Sequence, residues 1–215
     1  MGLTMIKKIS DKIFPAKKGK KYLNSLLDYI PNISKNDIII DCGANVGNVI
    51  KPISNIGCQI IAFEPNPYAF KILKQNYEYN KNVNCIRKAV STKNGMSKLF
   101  LHENSEQDNL LWSTGSSLVK TKNNVDSSNY VIVETINFSE YLLSLEGQIK
   151  LIKIDIEGEE LNVINQILDN DLHDKIDHIL VETHQKKIPS HRTKLDNLKK
   201  RIREMNISNI SLDWH

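Results

Sequence analysis

The sequence has only three cysteines in 215 residues, Cys42, Cys58 and Cys85, and they share no repeating spacing. An odd number, each in or beside an apolar run, excludes a disulfide framework and a cysteine-built zinc site, and sets reduced, cytoplasmic thiols as the expectation. No apolar run approaches the ~20 residues needed to span a bilayer, so no transmembrane segment is expected. The start, MGLTMIKKIS, lacks the apolar stretch of a signal peptide. Ile6 stands where an N-myristoylation signal has Ser or Thr. Arginine is scarce, 4 residues against 25 lysines, while asparagine and isoleucine are abundant. That skew points to an AT-rich genome. With a net charge of only +4, no nucleic-acid partner is expected. Internal repeats are absent.

What is present alternates. Residues 1–21 carry seven lysines and one aspartate and read as a basic extension, with one domain over 22–215. Tyr22 to Ile30 has the spacing of a short amphipathic helix. Asp37 to Ile40 is an apolar strand, and a helix is expected after it from Val49, Ile50, Ile53 and Ile56, stopped by Gly57. Further strands are expected at Gln59–Phe63, Val83–Ile86, Ile149–Ile154 and His178–Thr183. Helices are expected around Phe70, Leu73 and Tyr77, around Leu161, Ile164 and Leu168, and around Leu195, Leu198, Ile202 and Met205. A last strand-like stretch runs from Ile207 to Trp214. Continuous apolar strands alternating with amphipathic helices specify a doubly wound, Rossmann-like α/β sheet covered on both faces. Residues 91–136 interrupt the rhythm with turn residues and an alternating strand, Tyr130 to Ile136. This is a strand-rich insertion between the third and fourth strands, placed to cover the ligand crevice as a flap.

The first strand runs into Asp41-Cys-Gly-Ala-Asn-Val-Gly, a strand-to-helix turn with Gly43 and Gly47. Glycine admits a ligand close to the backbone, and a helix start offers free N–H groups. Glu64 ends the next strand, where a carboxylate can accept both hydroxyls of a ribose. An adenosine cofactor follows. The spacing is G-x-x-x-G rather than the G-x-G-x-x-G of dinucleotide enzymes, and Asp41 would repel a pyrophosphate. S-adenosylmethionine, with a positive ammonium and sulfonium, suits the charge.

In order, IIIDCGANVGN, IIAFEPNPYAF, KAVS, IKLIKIDIEGEE and ILVETH resemble the FkbM family of S-adenosylmethionine-dependent methyltransferases over about residues 36–185. The resemblance implies a class I methyltransferase sheet and O-methylation, commonly of a hydroxyl on a sugar, glycolipid or polyketide. It places Asp41, Gly43, Asn45, Gly47, Asn48, Glu64, Pro65 and the backbone near Ala89 around the cofactor. The chain departs from the family pattern at Asn137, where Asp is usual, and at Glu159, where Ala is usual. After the last helix there is one strand-like stretch in place of the customary pair.

On the acceptor side, Asp155 ends the fourth strand and Glu182-Thr183-His184 ends the fifth. Alternation puts Glu182 and His184 on one face, and a parallel sheet opens both ends on the crevice of Gly43 and Glu64. Asp155, Glu182 and His184 are therefore the catalytic candidates, with His184 or Asp155 as general base, or Asp155 on the cofactor's amino group. The same three residues have the ligand types for a divalent metal. Glu159 and Glu160 read as the acidic first turn of a helix, Glu157 as a cap or a pocket residue. His102, His173, His178, His191 and His215 read as surface or loop residues. Ser116 and Ser117 are placed to line an acceptor pocket. Asn66-Pro67-Tyr68 is similar to the D/N-P-P-Y signature of adenine-N methyltransferases but follows the wrong strand. The expected partner is a small-molecule or glycan acceptor with a free hydroxyl, and the expected setting is glycan or polysaccharide biosynthesis. An RNA or protein methyltransferase and a non-catalytic binding protein of the same fold are the alternatives.

Overall fold

The computed structural model describes residues 32–214, and the basic extension and the Tyr22–Ile30 helix lie outside them. Six strands form one parallel sheet: β1 (Ile38–Cys42), β2 (Gln59–Phe63), β3 (Val83–Ile86), β7 (Ile149–Ile154), β8 (Ile176–Val181) and β9 (Ile210–Ser211), in the order β3-β2-β1-β7-β8-β9. The chain starts at the middle and winds outward in both directions, which is the doubly wound arrangement. The expected fold class is present.

Strand alternation divides the core in two. Ile40, Cys42, Ile61, Phe63, Ile152, Ile154, Ile179 and Val181 project to one face. There they meet α2 (Phe138–Ser144), α3 (Glu160–Asp169) and α4 (His191–Glu204) through Phe138, Leu142, Leu161, Ile164, Leu195 and Leu198. Ile39, Ile60, Ala62, Leu151 and Leu180 project to the other face and pack on Ile50, Ile53, Trp214 and Leu73 of α1 (Pro67–Asn76). With both faces buried, the strands have no polar side to show, which is why they read as continuous apolar runs. Asn66 caps α1, its side-chain oxygen accepting from the N–H groups of Tyr68 and Ala69, with Pro67 in the first turn. The Asn-Pro-Tyr motif is thus a helix start.

Three expectations change. The helix expected from Val49 to Ile56 is a succession of turns. Asn45 (φ 50°) and Gly47 (φ 86°) leave the right-handed region, and Pro52 brings no N–H to a helix. Ile50 and Ile53 are buried as their spacing implies, without the helix. The fifth parallel strand stops at Val181, so Glu182 to His184 lie in a loop. The terminal strand is two residues long and parallel to β8, pairing Ile179 with Ile210 and Leu180 with Ser211.

The insertion carries a second sheet in the order β4-β6-β5, from β4 (Ala89–Ser91), β5 (Gly95–His102) and β6 (Val125–Asn137). Strands β5 and β6 pair antiparallel, with a register break between Phe100 and His102. The connection between them, residues 103–124, contains a short 3₁₀ turn (Ser113–Gly115) that lines the main cavity.

Candidate functional site

A cavity of about 410 Å³ opens at the carboxyl ends of β1, β2 and β7, within the size range of small-molecule sites. Gly43, Asn45, Asn48, Glu64, Pro65 and Ala89 line it at one side, Asp155, Glu157 and Glu182 at the other. Trp112, Ser113, Gly115 and Ser116 from the insertion complete the wall. Most of the expected cofactor residues therefore share one cavity with two of the expected catalytic ones.

Two do not line it. Asp41 is 1% exposed and lies beside Lys153 on the neighbouring strand, with Nζ 3.1 Å from its Oδ1. Burial raises the Asp41 pKa and Lys153 works against that rise. For Lys153 burial is again the largest influence, but Asp41 and Asp155 outweigh it and hold the ammonium above its ordinary pKa. The Asp41 charge is thus taken up inside the protein, and it does not by itself select a cationic cofactor. Gly47 faces α1: a Cβ there would sit 2.4 Å from the Tyr77 ring, whose hydroxyl donates to the Gly47 carbonyl at 2.6 Å.

Gly43 is required by the sheet. At φ 79°, a Cβ would fall 1.8 Å from the carbonyl oxygen of Asp155. Its N–H and that of Ala44 both donate to the Phe63 carbonyl, at 3.0 and 2.9 Å. The N–H groups of Gly43, Ala44, Asn45 and Gly47, expected to be free at this turn, are therefore engaged within the protein. Glu64 is buried and accepts from Asn45 N and Asn66 N, each at 2.8 Å. Burial pushes its pKa up to about 7, against the lowering effect of those two N–H groups. The side-chain oxygen of Asn45 and the side-chain nitrogen of Asn48 are buried without a hydrogen-bond partner among the described residues.

The insertion is tied to this turn. Asn45 Nδ2 donates to Ser113 Oγ at 2.8 Å, and Asn66 Nδ2 to Ser116 Oγ at 3.2 Å. Ser117 Oγ donates to the Glu157 carbonyl at 2.5 Å and does not line the cavity. His102, expected on the surface, is buried, stacks on Trp112 with centroids 4.5 Å apart, and lines the cavity. His191 is also buried. His173 and His178 are half-buried outside the cavity, and His215 is outside the described residues.

His184 is buried and does not line the cavity. Its Nδ1 is 2.8 Å from Glu160 Oε1, and its Nε2 faces Glu157 Oε2 at 3.1 Å, Asp155 Oδ1 at 3.8 Å and Glu182 Oε1 at 3.9 Å. Burial alone would lower its pKa; Glu160, Glu157 and Asp155 outweigh it and raise the pKa to about 9. Burial and the neighbouring Asp155 raise that of Glu182 to about 7. Glu160 is not the surface residue that its place in a first helical turn suggests. It is fully buried, and Oε1 also accepts from Ile156 N and Gly158 N. Glu157, at φ 59°, meets Lys122 Nζ at 2.7 Å. Lys122 comes from the insertion and is buried as well. Lys122, Lys153 and Glu160 were not legible as site residues, whereas Glu157, read as a cap or a pocket residue, lines the cavity. The clearest signal was Lys153 itself, a lysine inside the apolar strand IKLIKI.

All three cysteines are free, and among the described residues no helix is long and apolar enough to cross a membrane. Several solved structures share parts of the fold at low identity. A precorrin-8w decarboxylase from Methanobacterium thermoautotrophicum is 13% identical, with 87% of this chain and 72% of that chain covered and a TM-score of 0.47. The METTL16 MTase domain is 13% identical, covering 91% and 61%, with a TM-score of 0.48. A precorrin-6y C5,15-methyltransferase from Geobacter metallireducens is 13% identical, covering 85% and 71%, with a TM-score of 0.44. No curated protein sequence matches the chain. The family comparison is of another order: residues 41–206, from the first strand through the last helix, match the methyltransferase FkbM domain. The chain belongs to the FkbM methyltransferase family.

Proposed function

We propose that this protein is an S-adenosylmethionine-dependent O-methyltransferase acting on a hydroxyl of a sugar, glycan or related small molecule. The observation that carries the reading is the pairing, in one cavity, of Glu64 and the Asn45–Asn48 turn with the two carboxylates Asp155 and Glu182. The cofactor fits the first half. Asn45 and Asn48 each bring an unpartnered polar atom to a cavity-lining residue, and Glu64 retains lone pairs for ribose hydroxyls. When bound, S-adenosylmethionine supplies an electrophilic methyl group. Asp155 and Glu182 would orient the acceptor hydroxyl toward that methyl group, and one of the two carboxylates would accept its proton. Of the two bases expected, His184 or Asp155, this reading keeps Asp155 and adds Glu182, because His184 does not line the cavity. An acceptor with polar hydroxyls suits a pocket walled by Ser113, Ser116, Asn124 and charged groups.

Calorimetric titration with S-adenosylhomocysteine tests the cofactor half, and tritiated methyl transfer to a panel of sugars and glycans tests the acceptor half. No binding of S-adenosylhomocysteine, or binding of NAD in its place, sinks the reading. Methyl transfer confined to RNA or protein removes the O-methylation part and leaves the cofactor part. The basic extension keeps that second reading in view, since seven lysines in residues 1–21 would suit a polyanion.

A further inference from the structure

We infer that Asp155, Glu157 and His184 form a binding site for a divalent transition-metal ion at the acceptor side of the cavity. Each offers one ligating atom, and these atoms all lie within 4.8 Å of one another. A cluster of acids alone would carry little weight; the histidine makes this one specific.

The His184 side chain is 2% exposed, and its Nδ1 is held by Glu160, itself fully buried. Glu160 is fixed in turn by the N–H groups of Ile156 and Gly158. Metal-bound histidines recur in this arrangement, with the remote ring nitrogen donating to a carboxylate and the other nitrogen turned to the ion. Here Nε2 makes no hydrogen bond to any described residue, although Glu157, Asp155 and Glu182 all present an oxygen within 3.9 Å. Lys122 Nζ fixes the position of the Glu157 carboxylate, at 2.7 Å from the same Oε2 that faces His184.

Charge points the same way. Four carboxylates, Asp155, Glu157, Glu160 and Glu182, converge on one imidazole. The opposing cations are the protonated His184 ring itself, buried Lys122 and the half-exposed Lys187, 3.6 Å from Glu157. Lys153 reaches Asp155 only at 3.5 Å and is shared with Asp41. Glu160 is buried and the other three are partly so, and an excess of negative charge placed there is costly unless a cation offsets it. One imidazole nitrogen with two or three carboxylates suits Mn²⁺, Fe²⁺ or Zn²⁺ better than Ca²⁺. Resting on the methyltransferase reading, the ion's role would be to orient the acceptor hydroxyl and make it more acidic, with Glu182 beside it.

The test uses the full chain after chelator treatment, titrated separately with Mn²⁺ and Zn²⁺ by calorimetry, with pulsed electron paramagnetic resonance on the Mn²⁺ sample. One ion per chain, a nitrogen coupling from a histidine, and at least a tenfold loss of affinity in His184→Ala and Glu157→Gln are expected. The nitrogen coupling is read on the wild-type chain, so it stands even where a variant does not fold. No saturable binding at millimolar metal, or binding with no nitrogen coupling that His184→Ala leaves unchanged, overturns the inference. S-adenosylhomocysteine is titrated into the same samples. Its binding without any metal site overturns this inference and leaves the methyltransferase reading intact. A metal site without S-adenosylhomocysteine binding supports the site and removes its role in methyl transfer.

Discussion

Asp41 and Lys153 are register partners on adjacent strands β1 and β7, and they form an ion pair of 3.1 Å at the centre of the sheet. The same ammonium donates to the Gly43 carbonyl at 2.9 Å, so the pair also fixes the turn that leads into the cavity. Removing one partner of a buried pair typically costs ~3–5 kcal/mol, because the other is left uncompensated. Lys153→Met should lose about that much in urea denaturation. The double variant Asp41→Asn/Lys153→Met should recover a large part of the loss. A single-variant loss under about 1 kcal/mol would show that the pair is not structural.

Gly43→Ala tests the close approach of β1 to β7. Its Cβ would overlap the Asp155 carbonyl at 1.8 Å, a backbone atom that cannot move without parting the sheet. The expected outcome is loss of folded protein, or a destabilisation beyond ~4 kcal/mol, by circular dichroism. Gly147 is the comparison, since it has φ 81° but nothing within 4 Å of where an added methyl would sit. Gly147→Ala should cost only the ~1–2 kcal/mol of a left-handed backbone. Equal losses at the two positions would mean that conformation, rather than contact, dictates Gly43.

The central strands β1, β2, β7 and β8 were legible because burial on both faces turns each into a short apolar run. The Val49–Ile56 segment misled because Ile50 and Ile53 are buried at helical spacing, while Gly47 and Pro52 set a backbone that periodicity does not report. The residues expected around a cofactor follow one after another along β1 and β2, and those that line the cavity were read in sequence order. On the other side Asp155, Glu182 and Ser116 were read from the strand ends and the insertion, but the contacts that hold them were not. Lys122 reaches Glu157 from 35 positions away, and Asn45 reaches Ser113 from 68, so no local pattern announces either contact. Glu160 was hidden by an ordinary rule, since an acid in a first helical turn needs only the helix dipole to explain it.

Glu64 should make stability fall as pH rises. Its pKa is up to about 7 in the folded protein against 4.5 for an unperturbed carboxyl, so burial favours the neutral form. The stabilisation is complete below about pH 4.5 and is lost as pH climbs through 7. Asp41 and Lys153 are the charged groups that bear on it, and they act in opposite directions. Glu64→Gln stays neutral throughout. Relative to wild type, the variant should gain up to ~3 kcal/mol between pH 4.5 and 8, on the scale of 1.36 kcal/mol per pKa unit. A pH-independent difference would mean that Glu64 is ionised with its ordinary pKa.

Ser113 and Ser116 hold the connection 103–124 to the turn after β1 through Asn45 and to the start of α1 through Asn66. Each hydrogen bond is worth ~0.5–1.5 kcal/mol, enough to matter for a loop and little for the sheet. The double variant Ser113→Ala/Ser116→Ala should speed amide exchange across residues 110–118 at least several-fold. Global stability should fall by no more than ~1–3 kcal/mol. Unchanged exchange in that stretch would show that the loop is held by Trp112 and Lys122 instead.

Both tryptophans of the chain, Trp112 and Trp214, line the cavity. Trp112 stacks on His102 at an interplanar angle of 20°, and Trp214 lies 1% exposed with Lys153 Nζ 5.7 Å from its ring centroid. A ligand that fills the cavity changes the surroundings of both indoles, and indole emission is sensitive to nearby charge and water. Saturating S-adenosylhomocysteine should therefore shift or quench intrinsic fluorescence. In Trp112→Phe the remaining change reports Trp214 alone and should be smaller, because that ring is already excluded from water. Calorimetry on the same protein separates the two ways of seeing no change. Binding with heat but without any fluorescence response would place the cofactor away from this cavity, and with it the pairing of Glu64 with Asp155 and Glu182 would lose its meaning.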